Sequence, residues 1–171
     1  MALVPVFAVV CALLVLAGAF KLRDPRAAKQ SLARSGLDLP APAIRGLGAA
    51  EIVVGAVAVI RPTVLTAALV AVAYGVFCVF MARLLRADGS AGCGCFGGGS
   101  ESIGVTHVIL NAIACAVAAL AAVAPPAGLG WIVTRAPLVS VSLILGIGAA
   151  TFAIYSVFTL FQGAWRSFGA A

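Results

Sequence analysis

Leu3-Val4-Pro5-Val6-Phe7-Ala8-Val9-Val10-Cys11-Ala12-Leu13-Leu14-Val15-Leu16-Ala17-Gly18-Ala19-Phe20, followed at once by Lys21 and Arg23, decides the class of this chain. No charge interrupts the run, and as a helix rising ~1.5 Å per residue it is long enough to cross a bilayer core. Ala17-Gly18-Ala19 has the small-residue look of a signal-peptidase site. No positive segment precedes it, however, and Lys21 and Arg23 follow as a membrane-end anchor. The run therefore reads as a retained span, and Cys11, which follows Val10 rather than a small residue, does not read as a lipoprotein site. Comparable runs recur at roughly 46–60, 63–84, 105–123 and 137–161. The composition agrees: 64% hydrophobic and 9% charged residues, with a mean hydropathy of +1.20, leave too little charge to cover a soluble surface. The expected fold class is an all-α integral membrane helical bundle of five spans in the lipid bilayer.

Between the first two runs the chain turns basic, with Lys21, Arg23, Arg26, Lys29, Arg34 and Arg45. Ala27, Ala28, Leu32 and Ala33 recur at near-helical spacing there. That pattern predicts a short helix in the headgroup region, ended by Gly36, Pro40 and Pro42. The net charge of +6 thus speaks of topology and anionic headgroups, and no nucleic-acid partner is expected. Glu51 lies early in the second run. A carboxylate in a span is costly, so it should face the bundle interior as a functional group, or pair with Arg45 or Lys21. The third run ends in Arg83 and Arg86, and the fifth in an interfacial belt of Gln162, Trp165 and Arg166.

Chemistry concentrates in the loop from Arg86 to Gly104, which contains Gly92-Cys93-Gly94-Cys95-Phe96-Gly97-Gly98-Gly99. The glycine triplet has no following lysine, so a phosphate cradle is not expected. Cys11, Cys78 and Cys115 lie inside apolar runs and read as small buried hydrophobes. Cys93 and Cys95 differ. A disulfide between cysteines two apart is geometrically possible but strained, Gly94 relieving part of the strain. Strained, accessible disulfides are the labile and catalytic ones. His107, the single histidine, opens the fourth run, with Asn111 and Cys115 following by i+4 steps on one face. His107 reads either as a satisfied helix-entry residue or as a group tuning thiolate formation. Asn111 reads foremost as a helix-to-helix hydrogen-bonding residue.

Two other classes use the same atoms. Cys93, Cys95 and His107 would offer two thiolates and an imidazole to Cu(I) or zinc, although the loop lacks a fourth ligand. A non-catalytic membrane accessory subunit would leave both cysteines incidental. No cofactor is required by the sequence; a quinone in the bundle is the open possibility.

Lys21-Leu22-Arg23-Asp24-Pro25 after the first span, Glu51 entering the second, Cys93-Gly94-Cys95-Phe96-Gly97, and the His107-to-Asn111 step together resemble the MauE-like membrane proteins. That group of methylamine-utilisation proteins is similar in layout to the DoxX-like four-helix group. The likeness covers roughly Leu3 to Val123. It implies a four-helix DoxX-like domain over residues 1–124, followed over 125–171 by a linker and an additional span. It also implies a thiol–disulfide oxidoreductase role in a bacterial plasma membrane, with Cys93 and Cys95 as the redox pair and a thioredoxin-like protein as partner. In that reading Cys93 attacks, Cys95 resolves, His107 assists as a catalytic group, and Glu51, Asn111, Phe96, Gly94 and Gly97 support. The methylamine substrate itself is not carried over. The family places the pair outside the cytoplasm, whereas nine basic residues on the loop's side against Arg61 and Arg135 on the other place it inside by the positive-inside rule. The chemistry favours the outside, where a labile disulfide has use.

Overall fold

The computed structural model describes residues 3–87 and 105–156. Cys93, Gly94, Cys95, Phe96 and Gly97 lie outside the described residues, as do Gln162, Trp165 and Arg166. The described chain is all helix: α1 (Leu3–Arg23), α2 (Pro25–Arg34), α3 (Ala41–Ile60), α4 (Val64–Ala87), α5 (Val105–Val123), α6 (Leu129–Arg135) and α7 (Pro137–Ser156). Among the described residues five helices, α1, α3, α4, α5 and α7, are long and apolar enough to cross a membrane. The protein is a multi-pass helical membrane bundle. Most of its exposed apolar side chains, such as Val53, Leu65, Val72 and Leu120, are on the faces such a bundle turns to lipid.

Bilayer-spanning helices associate by packing rather than by hydrophobic exclusion, so small residues set the approach of their backbones. Antiparallel α1 and α3 meet on that basis. A Cβ added to Gly48 would stand 2.7 Å from the Gly18 carbonyl oxygen and 2.9 Å from Lys21 Cβ, and one added to Gly55 would stand 2.9 Å from the Cys11 carbonyl oxygen. The α4–α5 pair uses alanines at helical steps, Ala114, Ala118 and Ala121, against Ala67, Val70 and Tyr74. Two thiols tighten that seam: Cys115 donates to the Ala71 carbonyl at 3.3 Å and Cys78 to the Val108 carbonyl at 3.7 Å. Helix α1 joins the two pairs, burying Phe7, Val10, Cys11 and Leu14 in the common core. Helix α7 lies along α1, where Tyr155 stacks on Phe20 with ring centroids 5.7 Å apart.

Helix α2 forms as its pattern predicts. Asp24 caps it by accepting from the Arg26 amide at 3.0 Å, with Pro25 in the first turn, where its missing N–H costs nothing. Pro25, Ala27, Ala28 and Ser31 are buried and the basic side chains face out. The helix ends at Gly36, whose φ of +83° suits glycine. Two boundaries differ from the sequence expectation. The second span begins at Ala41 rather than near Gly46, because Pro42 sits in the first turn of α3 and starts that helix instead of breaking the preceding segment. The linker before the last span contains the seven-residue α6, which tucks Gly128 against the Ile60 carbonyl too closely for any side chain.

Candidate functional site

The costliest group in the spans explains the site's location. Glu51, one-half of the way along α3, is 4% exposed, and Lys21, at the end of α1, is 5% exposed. The Lys21 Nζ donates to both carboxylate oxygens, at 2.8 and 2.7 Å. A desolvated carboxylate is tolerable in an apolar span only with such a partner. Of the two partners the sequence offers, the structure selects Lys21. Arg45 lies on the exposed side of α3, while the close glycine contact brings residues 30 apart in sequence into register. The same ammonium stands 4.7 Å from the centroid of the Phe77 ring on α4, a cation–π contact that ties the pair to a third helix.

Phe77 has a second neighbour. It meets Tyr74 edge-on, centroids 5.9 Å apart and planes at 86°, and both rings line a cavity of about 320 Å³ enclosed by α1, α4, α5 and α7. The cavity is apolar apart from a few groups. Tyr74 is anchored by donating its hydroxyl to the Val10 carbonyl at 2.7 Å. His107 is 3% exposed and lines the cavity together with Asn111, one turn further along α5. Among the described residues Asn111 bonds within its own helix rather than across helices as the sequence suggested: its Nδ2 donates to the His107 carbonyl at 2.7 Å. The ion pair and the cavity are thus separated by a single phenyl ring.

A family model described as methylamine utilisation protein MauE matches residues 1–125. The chain belongs to the MauE family. No curated protein and no solved structure matches it. The MauE match covers α1 to α5 and stops before α6 and α7, yet α7 contributes Ala150 and Ile154 to the cavity. In this MauE-family bundle, Glu51, His107 and Asn111 are brought to one half of the molecule. The segment bearing Cys93 and Cys95 joins the end of α4 to the start of α5, and those ends pack through Met81, Leu84 and Val108. Cys11, Cys78 and Cys115 are free thiols. Among the described residues no group of three His, Cys, Asp or Glu side chains is placed to hold a metal ion; the Cys93/Cys95/His107 set falls mostly outside them. Sequence reasoning passed over Tyr74 and Phe77, and it offered Lys21 as a partner for Glu51 without choosing it over Arg45. An aromatic pair three apart in an alanine-rich span was the available signal.

Proposed function

We propose that this membrane protein exchanges disulfides through Cys93 and Cys95 with a thioredoxin-like partner, supporting maturation of proteins outside the cytoplasm of a bacterial cell. The observation that carries the reading is the convergence at one end of the bundle. The C-x-C segment is bounded by the packed ends of α4 and α5, the helices that bear Phe77 and His107 beside the buried Lys21–Glu51 pair. Membership of the MauE family supports it.

In the exchange, a partner thiolate attacks the Cys93 sulfur of the Cys93–Cys95 disulfide, forming a mixed disulfide and releasing the Cys95 thiolate. The partner's second thiolate then attacks its own half of the mixed bond and frees Cys93. Two electrons pass from the partner's dithiol to the Cys93/Cys95 pair, and the partner leaves oxidised. Run backwards, Cys93 attacks and Cys95 resolves. In this reading Gly94, with its freedom of backbone angles, eases the geometry between the two cysteines, and Phe96 and Gly97 are supporting residues. Lys21 and Glu51 hold α1, α3 and α4 in register, and His107 faces the cavity rather than the surface.

The test is labelling of intact cells with a membrane-impermeant maleimide, using protein in which Cys11, Cys78 and Cys115 are replaced by alanine. Labelling from outside that requires prior reduction is the expected result. Labelling only after lysis, with no need for reductant, sinks the reading and moves soft-metal binding forward. Cys93→Ser with Cys95→Ser should abolish oxidation of the partner in cells; unchanged partner oxidation would point to an accessory role.

A further inference from the structure

The cavity between α1, α4, α5 and α7 is not used by the exchange just described, and its chemistry is selective. Its wall is built from aliphatic side chains and the Tyr74 and Phe77 rings, with His107 and Asn111 as polar groups from α5. Among the described residues no lysine, arginine or carboxylate lines it, so an anionic or zwitterionic headgroup would find no countercharge from them there. It is set within the spans, and two residues at its margin, Val6 and Ile113, are 48% and 54% exposed on faces turned to lipid. A ligand therefore enters from the bilayer. Its volume falls within the usual range for small-molecule sites. The Asn111 amide spends one N–H on the His107 carbonyl and has a second, together with an acceptor oxygen.

We propose that this cavity binds a membrane quinone: a flat neutral ring with two carbonyl acceptors on an apolar tail. The ring stacks against Tyr74 and Phe77, one carbonyl accepts from Asn111, and the tail leaves past Val6 and Ile113 into lipid. The site gives the cysteine pair an electron acceptor, a step that rests on the exchange reading above. The Cys93 and Cys95 thiols are oxidised to their disulfide, and the quinone takes up the two electrons and two protons to become the quinol. Nothing else is consumed. Binding itself does not depend on the cysteines.

The experiment uses the full-length protein in detergent micelles with a short-tailed benzoquinone analogue, binding being read by quenching of tryptophan and tyrosine emission. Saturable binding is expected for the unmodified protein and equally for Cys93→Ser/Cys95→Ser. Asn111→Leu should weaken it about five- to tenfold, the worth of one neutral hydrogen bond. Ala150→Phe, on the α7 wall, should abolish it, and Ala114→Phe on the α5 wall provides a second cavity-filling variant, each checked for helicity by circular dichroism. Absence of saturable binding, binding indifferent to all three variants, or equal displacement by a saturated amphiphile without the ring overturns the proposal. In a second arm, prereduced protein should reduce one quinone per cysteine pair, and the double serine variant none. Binding without that reduction retains the site and overturns the quinone's role as electron acceptor, leaving the exchange reading to its own test. Partner oxidation without quinone binding overturns the site and retains the exchange reading.

Discussion

Lys21→Met is the most informative single change in the bundle. Methionine keeps the length of the apolar stem, so little packing is lost, and the change removes the ammonium that bonds both oxygens of Glu51 at 2.8 and 2.7 Å. The two side chains are 6% and 4% exposed, so neither water nor a mobile surface cation can replace it. Breaking a buried pair from one side costs about 3–5 kcal/mol, chiefly because the remaining charge stays desolvated. Loss of the contact with Phe77 adds up to about 2 kcal/mol where the cation is fully desolvated. Glu51→Leu should cost a similar amount by stranding the ammonium. Lys21→Met combined with Glu51→Leu removes both charges and should fall within about 2 kcal/mol of the unmodified protein, since apolar replacement of a whole buried pair is often neutral. The double-mutant cycle should then show a coupling of several kcal/mol. The assay is reversible unfolding by SDS in mixed micelles, followed by far-ultraviolet circular dichroism. A cost for Lys21→Met under about 1 kcal/mol, the range of exposed pairs, would refute the reasoning. So would a double variant that costs the sum of the two singles.

Two further changes probe the framework around the pair. Gly48→Leu forces a side chain into a contact where even a Cβ meets the Gly18 carbonyl oxygen at 2.7 Å; the expected destabilisation is about 1–3 kcal/mol or more, read in the same assay, and an unchanged unfolding midpoint would mean the α1–α3 contact is looser than described. Tyr74→Phe removes the hydroxyl that donates to the Val10 carbonyl at 2.7 Å and should cost about 0.6 kcal/mol, with about 1.7 as the upper bound for such bonds between spans; a cost well above that would assign Tyr74 a role beyond this bond.

The five spans were legible because each is a strongly apolar run with at most one charge inside it, of about the length a bilayer requires once its helix ends are included, and nothing in their packing could disguise that. Helix α2 was legible for the opposite reason: its alanines and basic residues alternate at helical spacing, and Asp24-Pro25 marks its start. The start of α3 was misjudged because Pro42 is compatible with both a break and a first helical turn, and only the chain's path decides between them. Helix α6 gave no periodic signal in seven residues. Glu51 was legible as a group needing a partner, but the choice of Lys21 over Arg45 depends on the rotation of α3 against α1, fixed by Gly48 and Gly55 rather than by charge. The cavity was not legible at all. It arises where four helices fail to close around Tyr74 and Phe77, and one wall is α7, beyond the stretch that matches the family. Charge and chemistry argue about orientation from the same face for a structural reason: the buried basic end of α1, the basic face of α2 and the ends of α4 and α5 all belong to one end of the bundle.

The ion pair and the cavity are best understood as one construction. An ion pair in a span is a poor source of stability compared with apolar packing, so its presence beside a cavity calls for a reason of position. Lys21 supplies one: it is bonded to α3 through Glu51 and to α4 through the face of Phe77, and the same ring is a wall of the cavity. Loss of the ammonium releases Phe77 on one side, and a released ring is free to turn into the empty volume. On this argument the stable double variant Lys21→Met/Glu51→Leu should fold and yet bind the quinone analogue more weakly than the unmodified protein, although neither residue lines the cavity. Equal binding by that variant would separate the two features and leave the ion pair as a local strut between α1 and α3.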